Sequence, residues 1–192
     1  SANSTFTVAA GSTANINSGV SGAFSLTKAG AGSLTLSAAN TYTGGTTISA
    51  GQLIVQDAGS LGTGALSVAG GASIAVNADT VITGLSSGGN VTIAAGKTLT
   101  INNSVFTGHF SGRLSGSGNL VLSNTANGDG FFTWGVHDGF TGNITSTGIL
   151  GLQGVVSALG SGNLTFLGQS TLRSQGGTPL LKNNVFVDGT LK

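Results

Sequence analysis

Short bursts of alternating apolar and polar residues recur along the whole chain, and glycine-rich turns separate them. Each burst covers about three to five residues, as in 34–36, 66–68, 91–93, 120–122 and 164–166. This alternation predicts strands with one buried face and one exposed face. The strands are shorter than the roughly 5–6 residues usual in a sandwich, and they suit a solenoid whose coils pair with their neighbours. We therefore predict an all-β fold, a parallel β-helix (β-solenoid).

The composition excludes several other classes of protein. Charged residues make up 6% of the chain and the formal net charge is +1, so we expect no nucleic-acid binding. Cysteine is absent, so no disulfide stabilises the fold. No apolar run approaches the roughly 18 residues of a membrane helix, and we expect no direct membrane insertion by this segment. The 39% of hydrophobic residues are regularly spaced, which argues against a disordered chain.

The chain also contains an internal repeat, which is typical of solenoids. We interpret residues 1–192 as a single β-helix segment, with one repeat copy at 28–76 and a degenerate copy at 118–172. In this alignment Tyr42 corresponds to Phe140, and the Leu-Gly-Thr-Gly run that begins at Leu61 corresponds to the Leu-Gly-Ser-Gly run that begins at Leu159. The second copy carries an aromatic insertion at 125–139. We also expect polar corner residues such as Asn40, Asn90 and Asn119 to stack in ladders.

Residues 28–76 resemble the autotransporter-associated β-strand repeat of autotransporter passenger domains. The family pattern is met by Lys28, Gly30, Gly32, Leu34, Leu36, Asn40, Thr41, Tyr42, Gly44, Thr46, Ile48, Gly51 and Leu53. The resemblance implies a right-handed parallel β-helix that is secreted through the outer membrane (type V secretion) and presented on the bacterial cell surface. At roughly 20 residues per turn, which is a family expectation, the chain would form about nine turns. The degenerate copy lacks the lysine, so the resemblance is weaker there.

The resemblance and the composition together predict a structural role. The first hypothesis is a non-catalytic scaffold or stalk of an adhesin passenger, which helps passenger folding and secretion. The second is a self-assembling extracellular subunit, because both ends of a β-helix expose strand edges, and residues 185–187 could stack on another copy. Possible partners under these hypotheses are host or cell-surface glycans or proteins, and a second copy of the chain.

A third hypothesis is a carbohydrate-binding module built on the aromatic insertion, the one unusual segment of the chain. Its candidate partner-binding residues are Phe131, Phe132, Trp134, His137, Asp138 and Phe140. Exposed aromatic rings can stack on sugars or anchor a protein partner. The alternative is that the loop folds back and its rings cover the flank of the β-helix.

Catalytic, cofactor and metal sites are not predicted. His137 and Asp138 are adjacent, and adjacent residues of an extended chain point to opposite faces, so they do not orient each other as a triad does. The chain has five acidic residues in all, scattered along it, whereas glycosidases need paired carboxylates. Residues 127–130 resemble part of a calcium loop, but a glycine-rich turn explains them better because the chain has no glutamate to complete the site.

Overall fold

The computed structural model describes residues 3–59, 61–103, 110–124, 139–153, 159–175, 181 and 183–191. Every regular element in these ranges is a β-strand. In chain order the strands are β1 (Ser4–Thr7), β2 (Thr13–Ile16), β3 (Ser21–Gly22), β4 (Leu26–Ala29), β5 (Ser33–Leu36), β6 (Thr41–Tyr42), β7 (Thr46–Ile48), β8 (Gln52–Val55), β9 (Leu66–Val68), β10 (Ser73–Val76), β11 (Thr80–Ile82), β12 (Leu85–Ser87), β13 (Asn90–Ile93), β14 (Thr98–Asn103), β15 (Arg113–Gly116), β16 (Asn119–Asn124), β17 (Gly139–Phe140), β18 (Ile144–Ser146), β19 (Ile149–Gln153), β20 (Leu164–Gln175) and β21 (Val185–Leu191).

The strands stack into three long parallel faces, which confirms the predicted β-solenoid. The first face is β1-β4-β7-β9-β12, and the second is β17-β15-β13-β10-β8-β5-β2. The third is β11-β14-β16-β18-β20-β19, with β21 also paired to β20, while β3 and β6 form a short separate pair. Consecutive strands such as β9, β10 and β11 lie on three different faces, so one coil of the chain visits each face once.

The solenoid has about seven turns in the described residues, since the second face contains seven strands. The sequence-based estimate of about nine was slightly high because it assumed roughly 20 residues for every turn. Ser33 pairs with Gln52, an offset of 19 residues. Later turns are longer: Ser115 pairs with Gly139, an offset of 24 residues. The right-handed winding stays a prediction.

The core consists of in-register columns of apolar side chains that run along the solenoid. On the second face one column contains Leu34, Leu53, Ile74, Val91 and Leu114, each paired with the next. These side chains are at most 2% exposed. Because side chains alternate along a strand, a slip of one residue would turn a whole row from the core to solvent. The hydrophobic alternation therefore sets the register as well as the strand positions.

An asparagine column lies at the corner before the third face. Leu120, Ile144, Leu164 and Val185 are paired in register, so the residues that precede them, Asn119, Asn143, Asn163 and Asn184, stack along the corner. The Asn163 N–H donates to Asn143 Oδ1 at 3.1 Å, and Asn184 Nδ2 donates to Asn163 Oδ1 at 3.4 Å. The expected ladder is thus present at Asn119. Asn90 also stacks with polar residues, since it is paired in register with Ser73 and Arg113.

The two faces of β8 provide a direct test of this core. Leu53→Ala should lower the free energy of unfolding by about 2–5 kcal/mol, because it leaves a cavity in a continuous column. Ile54→Ala on the outward face of the same strand should cost less than about 1 kcal/mol. Urea unfolding followed by circular dichroism measures both. Equal losses for the two variants would contradict the inward orientation of Leu53.

Candidate functional site

The buried polar residues of the first repeat copy form the most unusual site in the described chain. Lys28 lies on β4, at an inward position paired with Phe6 in the preceding coil and Ile48 in the following one. Its side chain is fully buried. A lysine so placed needs acceptors for its three N–H donors, since a buried unpaired ammonium is very costly.

Three carbonyl oxygens satisfy the Lys28 ammonium group. Lys28 Nζ donates to the carbonyls of Gly30 at 2.8 Å, Ala29 at 3.0 Å and Ala50 at 3.0 Å. Ala50 belongs to the next coil, so the lysine joins two coils through its side chain. In addition, the Lys28 carbonyl accepts the N–H of Ser49 at 2.9 Å and its hydroxyl at 3.0 Å.

A tight turn beside the lysine brings its acceptors within reach. Gly30 has a φ of +76°, which disfavours any residue with a Cβ atom. A Cβ at Gly30 would also lie 2.2 Å from the carbonyl oxygen of Val8 in the preceding coil. The Lys-x-Gly spacing of the repeat therefore has a direct steric and hydrogen-bonding reason.

A second buried polar contact centres on Tyr42, which is fully buried at a corner. Its hydroxyl lies 2.6 Å from Thr46 Oγ1, and Thr46 Oγ1 donates to the carbonyl of Leu61 at 3.3 Å. The Tyr42 ring stacks on Phe24, with centroids 5.7 Å apart and an interplanar angle of 21°. Burial raises the pKa of Tyr42, and the hydrogen bond with Thr46 partly offsets that rise. Phe24, Tyr42 and Leu61 belong to three successive coils, so this corner also connects neighbours.

Asn40 is the third buried polar residue of the repeat, with 5% of its surface exposed. Its Oδ1 accepts the N–H of Val20 from the preceding coil at 2.7 Å. Its own N–H donates to the carbonyl of Gly59 in the following coil at 3.0 Å. A short side chain with an acceptor can thus replace a missing strand pairing on this side of the solenoid.

The degenerate copy repeats the Tyr42 corner with phenylalanine in place of tyrosine. The N–H of Thr63 donates to the Tyr42 carbonyl at 3.2 Å, and the N–H of Ser161 donates to the Phe140 carbonyl at 3.0 Å. Gly62 and Gly160 have φ values of +64° and +70°. The strand after Tyr42 lies on the first face and the strand after Phe140 on the third, so the same corner is used at a different edge. The boundaries of the two copies stay a prediction.

The predicted partner-binding loop lies almost wholly outside the described residues. Of its six residues, Phe131, Phe132, Trp134, His137 and Asp138 are not described. Phe140 is described, and its ring is fully buried in the hydrophobic core. Its observed contacts are therefore core packing, and the ligand-binding role of the other five residues stays a prediction.

Within the described ranges, no group of three or more His, Cys, Asp and Glu residues is placed to hold a metal ion. The same ranges contain no helix that is long and apolar enough to cross a membrane.

Comparisons with known proteins point to one class. The family Passenger-associated-transport-repeat matches residues 26–55, which begin at β4 and end with β8. A curated relative, the adhesin BmaC autotransporter of Brucella suis biovar 1 (strain 1330), is 38% identical over 120 residues. The repeat match, the similarity to an autotransporter adhesin and the β-solenoid fold together fit an autotransporter passenger with β-repeats. The predicted resemblance is confirmed, and the residues that carry it include Lys28, Asn40 and Tyr42.

The same matches support a secreted, cell-surface location, as predicted. They also support a structural role, as in a passenger built from β-repeats. The match covers 58% of this chain and only 4% of the adhesin, so the aligned region is a small part of that adhesin. No solved structure matches the chain.

Replacing the buried lysine tests its structural role. Lys28→Met keeps most of the side-chain volume but removes the donor to the Gly30 and Ala50 carbonyl oxygens, so it should lower the free energy of unfolding by about 2–3 kcal/mol. Lys97→Met is the matched control, because Lys97 is partly exposed, and it should change stability by less than about 0.5 kcal/mol. Thermal unfolding of both variants measures the difference. Full stability of Lys28→Met would contradict a stabilising role for the hydrogen bonds of Lys28.

The Lys28 ammonium also predicts a pH dependence. Burial lowers its pKa from the usual 10.5, so at alkaline pH the unfolded chain binds more protons at this residue than the folded chain. The contribution of Lys28 to stability should therefore rise as pH increases through the lowered pKa towards 10.5. Urea midpoints of the wild type and Lys28→Met at several alkaline pH values measure it. If the urea midpoint of the wild type falls relative to that of Lys28→Met as pH rises, the lowered pKa is contradicted.

Removing the Tyr42 hydroxyl tests the second contact. Tyr42→Phe keeps the stack on Phe24 but leaves Thr46 with one partner fewer, which should cost about 0.5–1.5 kcal/mol. The degenerate copy already carries phenylalanine at the matching position, so the variant should still fold. Chemical denaturation measures the loss, and a loss beyond about 3 kcal/mol would show that the ring has also been displaced.

Proposed function

We propose that this segment is a non-catalytic stalk of an adhesin passenger, and that its repeat stabilises the passenger as it folds during secretion. The observation that carries the proposal is that the side chains of Lys28, Thr46 and Asn40 all bond to coils other than their own. A chain without cysteine gains from such contacts, because no disulfide can restrain it.

The similarity to an adhesin supports the same proposal. Its matched region is 4% of that adhesin's length, so recognition of host or cell-surface molecules can lie elsewhere in a passenger of this kind. The comparisons do not favour the other two hypotheses, a self-assembling subunit and a carbohydrate-binding module.

Separating export from adhesion tests the stalk function. In the full-length protein that contains this segment, Lys28→Met should reduce the amount of passenger at the cell surface, because a less stable coil folds more slowly or is degraded. Adhesion per surface-exposed molecule should stay unchanged. Quantitative surface immunolabelling and a cell-adhesion assay measure the two quantities, with Lys97→Met as the control.

Two outcomes would overturn the proposal. Normal surface amounts with lost adhesion would show that the segment itself binds the target. Reduced surface amounts for Lys97→Met as well would show that export responds to any lost lysine and not to the buried contact.

A further inference from the structure

A cleft on the third face begins where the repeat ends. The Asn77 N–H donates to the Val55 carbonyl at 2.9 Å, and the Thr83 N–H donates to the Gly64 carbonyl at 3.4 Å. Between these two bonds the earlier coil contains residues 56–63 and the later coil contains only residues 78–82. The earlier coil is therefore longer here than the coil it stacks on. The extra residues within 56–63 must form a loop that bulges out of the sheet.

Hydrogen bonds with residues of the repeat hold the described residues of this loop close to the preceding coil. The Gly59 carbonyl accepts from Asn40, the Leu61 carbonyl accepts from Thr46, and the Thr63 N–H donates to the Tyr42 carbonyl. A cleft of about 510 Å³ opens between this loop and β11. Its lining includes Gly59, Thr63, Asp79, Val81, Thr98 and Thr100. The volume falls within the roughly 300–1,000 Å³ of ligand clefts.

One edge of β11 faces this cleft. Among the described strands, β11 is the terminal strand of the third face and pairs with β14 alone. The Thr83 N–H points towards the preceding coil, and backbone groups two residues apart in an extended chain point the same way. The N–H and C=O of Val81 are therefore directed to the cleft side of the strand. Unpaired edge groups of this kind are a template for another extended chain.

The side chains of the cleft indicate what such a chain would carry. Val81 is 56% exposed, more than any other large hydrophobic residue in the described ranges. Asp79 is the charged residue among the described lining residues, and its Oδ1 accepts the Thr98 N–H at 2.8 Å. None of the described residues that line the cleft is aromatic, so they offer a sugar ring no surface on which to stack.

We propose that this cleft binds an extended, cationic polypeptide segment of a partner protein, which adds a strand to the free edge of β11. Main-chain hydrogen bonds to Val81 would supply affinity, and an apolar and a basic side chain would contact Val81 and Asp79. The proposal stands apart from the stalk function, because a stalk needs no ligand.

A labelled peptide tests the strand addition. The probe is a fluorescein-labelled hexapeptide in which valine and threonine alternate around one lysine, and fluorescence polarisation with the segment measures its binding. Two N-methylated versions of the probe are compared. One lacks the N–H groups of the odd-numbered residues, and the other lacks those of the even-numbered residues. Because one set faces β11 and the other faces away, one version should bind about tenfold more weakly and the other almost normally. Equal effects of the two versions, or no binding of the probe, would overturn the proposal.

Three variants place the site. Val81→Lys should weaken binding of the probe about tenfold, since it adds a like charge and bulk at the cleft. Val121→Lys is the matched control, because Val81, Thr100 and Val121 share one outward column, and it should bind normally. Asp79→Asn keeps the acceptor for Thr98 and should weaken binding about fivefold.

The same variants separate this cleft from the exposed end strand β21. Normal binding by Val81→Lys would place the peptide elsewhere and overturn the proposal. Preference for a glutamate version of the probe would overturn the cationic part. Concentration-dependent dimers that Val81→Lys abolishes would show that a second copy, and not a partner protein, occupies the cleft.

Discussion

Parallel pairing between successive coils is the constraint on which the rest of this structure depends. A single coil of about 20 residues has apolar side chains on three faces and no second layer to cover them. Only the coils before and after it can complete the core, as in the column from Leu34 to Leu114. Each strand is therefore stable only as part of a stack, and register errors are costly because they expose whole rows of side chains.

Buried polar contacts add specificity to this stack. Apolar columns of leucine, isoleucine and valine resemble one another, and backbone bonds alone do not distinguish one coil from the next. Lys28 distinguishes them, because its ammonium finds all three acceptors only when Ala50 of the next coil is in place. Tyr42 acts similarly through Thr46 and Leu61. The repeat thus combines general stacking with contacts that define which coils are neighbours.

Much of the fold was predictable from the sequence because it follows from local alternation and glycine-rich corners. The alternation also indicates that Lys28 is buried. Lys28 is two residues from Leu26, so both side chains lie on the inward face of β4. The number of turns was less predictable, since turn length depends on surplus residues such as those after Gln56. The cleft beside β11 could not be predicted, because it arises when Asn40 and Tyr42 hold the following loop away from the next coil.

The central claim is that Lys28 couples two coils and does not merely stabilise its own. Native-state hydrogen exchange with mass spectrometry on Lys28→Met tests this most directly. The contacts of the ammonium predict faster exchange in both β4 and the segment from β7 to β8, because Ala50 lies between those two strands. Faster exchange confined to β4 and its own turn, with β7 and β8 unchanged, would contradict the claim.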